Sequence, residues 1–523
     1  MRPYYAILPL VMIASSLLLA VPLSPVDAEV EFDDGVLRYY AIGEDTVKVA
    51  SYVADCGVSD VVVPDHVEYD GVTYTVISLS YQALISPDII SVTIPHTVKT
   101  LYAECFEGEN IQHIEVDPFN PNFVSLDGIV YDHNFREVIR CPEGYQSTTV
   151  ELPELVAAIG GGAFDHCMIE TVKLNNGLIM IDTTAFYHCS RLSMVTVDGE
   201  TCGFPRTLSI INSSAFSQCI SLTEIEFPLS LTLIGDSAFN STGLTEVSIP
   251  SSVNHIGIGA FGSCENLKSI EANTLRYTSI DGVLFKIDNM NRLECYPAGK
   301  EDAEYRIPDD VTSINPGAFS GCINLKKVHM GNMSIVPEGS FSFCTSLEEI
   351  DLSKVTAVGN IAFTHCTSLK YVTFGNSLIT IENNAFEWTT IEELVLPSSL
   401  LEIGGGAFTE CVNLMKVTFP DDSECYVGAY AFWGDFRLNE MYVGSSKVLL
   451  DVNSLSIGSR YSESAILTIT VPKGYQVPSS VCDEYTLLTI THIGEKPYPY
   501  ENFIGVFICL LVLFAIFRFF RKV

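Results

Sequence analysis

A chain of 523 residues exceeds what one hydrophobic core usually organises, so it holds either several domains or a repeat array. Lys and Arg number 28 against 64 Asp and Glu, a formal charge of −36, so the field of the folded chain repels phosphate backbones and excludes nucleic acid as a partner. The hydrophobic share of 47% leaves ample material for burial, and the acidic excess reads as a solvated surface in weak association with cations such as Ca2+.

At the start of the chain, Arg2, an apolar run from Ala6 to Ala20 and the small-residue end Val26-Asp27-Ala28 read as a signal peptide over residues 1–28. Residues 29–78, divided by Gly35, Gly43 and Gly71, read as an N-terminal cap. Without a cap, the first turn of a stack would expose an apolar end and an unpaired sheet edge.

From residue 79 to 440 the chain repeats itself. Ala-Phe, two residues, then Cys recurs at Phe164, Phe186, Phe216, Phe261, Phe319, Phe363 and Phe408; variants at Phe106, Phe239, Phe341, Phe386 and Phe432 and a degenerate copy at Leu84 share the position. The common spacing is 22 to 23 residues, with two gaps of 58. Both long gaps contain one motif, Ser125-Leu126-Asp127-Gly128-Ile129-Val130-Tyr131 and Ser279-Ile280-Asp281-Gly282-Val283-Leu284-Phe285. Each then carries two apolar runs around a polar turn, Asp132-His133-Asn134 or Asp288-Asn289, which predicts β-hairpin insertion modules over about 120–150 and 274–305.

One period runs Leu-x-x-Ile-x-Ile-Pro, a gap, Val-x-x-Ile-Gly, then Ala-Phe, as in Leu244 to Pro250, Val253 to Gly257 and Ala260-Phe261. Alternation around the Ile predicts a short strand with one buried face. The proline ends that strand, and Gly235, Gly257 and Gly404 are assigned the chain reversal. A coil this small cannot bury its Leu, Ile and Phe alone. Stacked copies can, which predicts a right-handed, β-rich solenoid with a continuous column of Phe and Ile at its centre.

Past Phe432 the marker stops. Residues 441–493, with strand-like Ala465–Val471 and Tyr485–His492, read as a C-terminal cap or small β module. Residues 494–502, carrying Pro497 and Pro499, read as a stalk. Residues 503–520 are almost wholly apolar and long enough for one transmembrane helix. The basic tail 521–523 fixes its orientation, tail in the cytoplasm and everything before the helix outside, so the expected location is the cell surface.

The repeat core Ile-Gly-x-x-Ala-Phe-x-x-Cys, the Ile-Pro strand ends, the Ile-Asp-Gly-Val-Leu-Phe modules and the segment Val61-Val62-Val63-Pro64 to Tyr74 together resemble the BspA-like leucine-rich-repeat family of surface proteins, over residues of about 30 to 440. The resemblance implies a leucine-rich-repeat solenoid whose role is adhesion or binding of host or matrix proteins. The apolar C-terminal segment departs from the wall-sorting tail of that family.

Other motifs weigh against chemistry. Gly257-Ile258-Gly259-Ala260-Phe261-Gly262 spells a dinucleotide fingerprint, but it is one copy of the repeat and lacks the strand-to-helix setting that gives the fingerprint meaning. Eight of the sixteen cysteines share the position three after the repeat Phe and read as small, buried, free thiols, with bridges better suited to the irregular Cys56, Cys202, Cys425 and Cys482 or to Cys141 and Cys295. His166, His188 and His365 each precede such a Cys and face the other way, which disfavours a shared zinc site. No protease, esterase or redox motif is present. Neither an enzyme nor a cofactor is expected.

Function is therefore expected on the exposed strand face. With Leu and Ile inward, the outward positions are Glu224, Glu226, Glu246, Ser248, Ser269, Glu271, Lys327, His329, Glu349, Asp351, Tyr371, Thr373, Glu393 and Lys416. The expected partner is an extracellular protein or matrix ligand. The alternatives are a self-associating surface scaffold and, more remotely, a surface hydrolase.

Overall fold

The computed structural model describes residues 30–197, 199, 201–287, 291–451, 453–456, 466–478 and 487–493. The expected signal peptide, stalk, membrane helix and tail, and the turn Asp288-Asn289, lie outside them. Among the described residues no helix is long and apolar enough to cross a membrane. The chain forms two compact units, divided between Gln146 and Ser147.

In the first unit, Glu31–Asp33, Leu37–Ala41 and Thr46–Tyr52 form an antiparallel meander; Val72–Leu79 joins it in parallel and pairs antiparallel with His66–Tyr69. Asp60–Val62, Ser91–Ile94 and His113–Val116 form a separate parallel row, and Ala103–Phe106 is a single 3-10 turn. Leu37, Tyr39, Val61, Val92, Phe106 and Ile114 are among the side chains of its core. Three strands, Phe123–Leu126, Ile129–Asp132 and Glu137–Arg140, run antiparallel about Asp127-Gly128 and the polar turn after Asp132. Arg140 is buried there and donates to Glu143 at 2.8 Å.

The second unit is a β-solenoid whose coils are built from three recurring pieces. The first is a strand such as Glu246–Ile249, Lys327–His329, Glu349–Leu352 or Lys416–Phe419; the second is a two-residue strand such as Leu233–Ile234 or Ala357–Val358; the third is the tight turn that carries Ala-Phe. Strands pair in parallel with their own copies one coil on, Val247 with Ile270 and Ile350 with Val372. The turns are tied likewise, Phe164 N–H to Ala185 O at 2.8 Å and Phe363 N–H to Ala385 O at 2.7 Å. A second antiparallel trio, Tyr277–Ile280, Val283–Lys286 and Arg292–Cys295, sits between the coils of Phe261 and Phe319. Tyr296 follows it at the Phe position and stacks on Phe319 at 5.3 Å, so the long sequence gap hides a coil whose aromatic residue is tyrosine.

Phe rings run through the interior at the spacing of the strands themselves. Phe341 and Phe363 lie 5.2 Å apart at 2°, Phe363 and Phe386 5.0 Å at 7°, and Phe164 and Phe186 4.9 Å at 8°. Beside them runs the cysteine column. The Cys189 thiol donates to Phe164 O at 2.9 Å, and those of Cys264, Cys344 and Cys366 donate to the Phe carbonyl one coil back at 3.0 Å. All fourteen described cysteines are free, Cys56, Cys141, Cys202, Cys295 and Cys425 included, so the bridges considered for these do not form among the described residues. Burial pushes the Cys264 thiol up to about 11, which keeps it protonated and able to donate.

The glycine assignment is corrected by the geometry. Gly235, Gly257 and Gly404 do not have positive φ. They are glycine because the preceding coil's backbone passes too close: a Cβ on Gly257 would fall 2.3 Å from Asp236 N, and one on Gly404 2.6 Å from Asn383 N. The chain reverses instead at two left-handed residues per turn, two before and two after the Phe, such as Thr184 and His188 around Phe186 or Asn384 and Trp388 around Phe386.

Two tests follow from this interior. Replacing Phe363, fully buried between two stacked rings, with Ala is expected to destabilise the fold by about 3–5 kcal/mol in denaturant titration. Asp435 occupies the cysteine position of its coil and is fully buried; burial, reinforced by Glu410, drives its carboxyl well above the usual range. A raised folded-state pKa means the native protein holds a proton that the unfolded chain releases above a pH of about 4. Asp435→Asn is therefore expected to raise the thermal midpoint at pH 7, with the gain shrinking to nothing as the pH falls below about 4.

Candidate strand-face binding site

Alternation sorts the strand side chains into two sets. Val247, Ile270, Val328, Ile350, Leu394 and Val417 are buried. Every outward residue expected from the sequence is exposed or half-buried, from Glu224 and Glu226 through Glu246, Ser248, Ser269 and Glu271 to Glu393 and Lys416. The sheet does not bring them all together. Glu246 stands opposite Ser269 and Ser248 opposite Glu271 in one two-stranded piece, while Glu393 and Lys416 belong to another. Glu226 lines a separate hollow with Arg206, reached through a bridge from Gly203.

Six of them share one hollow of about 350 Å3: Lys327, His329, Glu349, Asp351, Tyr371 and Thr373. They stand on the neighbouring strands Lys327–His329, Glu349–Leu352 and Tyr371–Phe374, with Glu304–Arg306 as the fourth. In-register stacking sets Glu304, Lys327, Glu349 and Tyr371 in one row; Arg306 faces His329 and Asp351 faces Thr373 in the next. Charges alternate along the first row. Lys327 pairs with Glu349, which raises its ammonium pKa, and His329 Nε2 lies 3.6 Å from Glu304. The Ser353 hydroxyl and backbone N–H hold the Asp351 carboxyl below the usual carboxylate range, so it is a fixed anion. Lys370 bonds Glu392 at 2.8 Å and lies 5.4 Å over the exposed ring of Tyr371.

Arg306, Asp309 and Lys354 also line the hollow, and the sequence reading did not name them. The strand of Arg306 follows the antiparallel trio and lacks the Leu-x-x-Ile lead; its Ile307-Pro308 end was the available signal. Lys354 is held by Gly331 O at 3.0 Å and Asn332 Oδ1 at 3.2 Å. Arg306 is exposed, and among the described residues no side-chain hydrogen bond or ion pair engages it. Several other bases on or beside this unit's strands are instead paired between coils, Lys173 with Glu151 at 3.6 Å, Lys326 with Glu348 at 2.9 Å and Lys416 with Glu440 at 3.7 Å.

Nothing in this arrangement sets a nucleophile against a base. Among the described residues no group of three or more His, Cys, Asp or Glu is placed to hold a metal ion. His166 and His188 stack at 4.8 Å on the outside of the turns while Cys167 and Cys189 point into the core. The dinucleotide-like segment 257–262 follows the strand His255–Ile256 and forms the tight turn of one coil, with Phe261 buried.

The family model of the BspA-type leucine-rich-repeat region matches six copies along residues 72–126, 143–202, 196–296, 301–387, 334–456 and 379–476. The chain belongs to this family. BspA-type leucine-rich repeats form a β-solenoid of the kind described above, with almost no helix. Among solved structures, the chain is similar to a leucine-rich cell surface protein of Faecalibacterium prausnitzii, with 21% identity over 83% of this chain and 99% of that one and a TM-score of 0.46. It is also similar to the pneumococcal vaccine antigen PcpA, with 18% identity over 90% and 99% and a TM-score of 0.47. A leucine-rich-repeat protein of Eubacterium ventriosum gives 19% identity over 82% and 95% and a TM-score of 0.48. No curated protein matches the chain.

Proposed function

We propose that the chain is a cell-surface adhesion or ligand-binding protein whose partner lies across the strand face between Arg306 and Thr373, and that it is not an enzyme. The observation that carries this reading is the unengaged guanidinium of Arg306 in a ridged polar hollow whose other bases already have partners, Lys327 on Glu349 and Lys354 on Gly331 O and Asn332 Oδ1. Family membership supports a protein or matrix partner met at the cell surface. The export signal read at residues 1–28 and the apolar segment 503–520 support anchoring with the solenoid outside. Arg306 and Lys354 suit a carboxylate of the partner, and Glu349 and Asp351 its basic groups, so charge pattern supplies specificity.

The double variant Arg306→Glu/Lys327→Glu is expected to fold with an unchanged melting temperature and to recover its surface ligand in pull-down with affinity weakened by roughly tenfold or more. Recovery of no ligand at micromolar concentration with or without calcium, or equal recovery by the variant, overturns the reading. Self-association is the competing role, favoured by the strand Leu487–His492, which among the described residues pairs only with Ile466–Val471. Sedimentation as a monodisperse monomer would dismiss it.

A further inference from the structure

A second surface, on the turn edge of the solenoid, has a different chemistry. The chain has two tryptophans, Trp388 and Trp433, and both lie on this edge within the turns of Phe386 and Phe432. Beside Trp433 is a shallow depression of about 500 Å3 whose floor is Gly405, Gly406 and Ala429 and whose walls are Tyr430 and Trp433. Tyr430 is 49% exposed although aromatic. Its left-handed backbone, φ 58°, is the one each turn uses two residues before its Phe.

The floor is kept open by glycine. At Gly406, φ 65°, a Cβ would fall 2.8 Å from Asn384 Nδ2 and 3.2 Å from Thr409 Oγ1, so an amide and a hydroxyl border the space above it. Thr409 donates to Tyr430 O at 3.0 Å and keeps acceptor capacity. The Asn384 side-chain amide, by contrast, meets no hydrogen-bond partner among the described residues. No Lys, Arg, Asp or Glu lines the depression.

We propose that this depression binds a neutral pyranose ring of an oligosaccharide, the sugar's C–H face against Trp433 and Tyr430 and its hydroxyls on Asn384 and Thr409. Ring-sized aromatic walls with an apolar body and an adjoining amide suit a ligand that is apolar on one face and hydroxylated at its rim. A charged sugar is disfavoured, because no cation is present to meet its carboxylate or sulfate and the whole chain carries −36. A peptide laid as an extra strand is disfavoured too, since the local backbone is already paired: Gly406 N–H to Ala429 O at 3.0 Å, Asn384 N–H to Gly405 O at 3.1 Å and Tyr430 N–H to Asn453 O at 3.0 Å. A cationic ligand would find two walls and not a cage, with no carboxylate among the lining residues.

The test uses the full chain carrying Trp388→Phe, which leaves Trp433 as the single tryptophan and its emission as a local reporter. Titration with lactose, cellobiose and maltotriose is expected to give a saturable change for at least one, with a Kd on the order of 1 mM, as one ring on an open platform allows. Asn384→Gly, which suits the left-handed φ of 53° at that position, is expected to keep the melting temperature and weaken binding by roughly tenfold. Arg306→Glu/Lys327→Glu is expected to bind the sugar unchanged, which separates this site from the strand-face reading. The proposal is overturned if none of the sugars shifts the emission, if Asn384→Gly responds like its parent, or if sialyllactose, tetramethylammonium or a proline-rich peptide saturates the signal in their place.

Discussion

Every coil of the second unit depends on its neighbours for an interior. A stretch of 22 or 23 residues encloses one Phe, one thiol and a few aliphatic side chains, far too little to offset the entropy of ordering it. The constraint is repetition at the spacing of parallel strands, because only then does Phe341 meet Phe363 face to face and Cys366 reach Phe341 O. Residue choice follows from that spacing. Glycine stands wherever the adjacent backbone leaves no space for a Cβ, and a hydrogen-bond donor stands three residues after each Phe. Where cysteine is missing from that place, Thr242 and Thr389 supply a hydroxyl beside the thiol of the next coil. Asp435, at the same place, can donate only when protonated, in keeping with the direction of its shift.

Much of this was legible in the sequence. The recurrence of Ala-Phe-x-x-Cys gave the period, the stacking of like on like and the inward thiols, and period-two alternation gave the outward strand positions from Glu224 to Lys416. Three things were hidden for physical reasons. Chain reversal rests on left-handed residues as varied as Thr184, Gln218, Ile361 and Trp388, so no residue type announces it. The coil of Tyr296 escaped because tyrosine replaces the marker. Arg306 escaped because its strand has no leucine lead, although it completes the hollow to which six of the expected residues belong.

The same register that builds the core organises the surface. A lysine on one coil finds a glutamate on the next at the same height, as Lys327 with Glu349 or Lys416 with Glu440, so the scarce bases are largely spent as rungs between coils. The acidic excess remains at the surface. Against that background an unengaged guanidinium in a polar hollow, as at Arg306, or an uncharged aromatic hollow such as that of Tyr430 and Trp433, stands apart from the paired charges.

The cysteine ladder bears on how the protein is made. Nine coil cysteines from Cys167 to Cys411, Cys295 among them, lie sealed from solvent in single file, close enough that an oxidising compartment could join neighbours in the wrong pairs before the coils close over them. In such a compartment, winding would have to outpace oxidation. The order in which coils close would then decide which thiols meet.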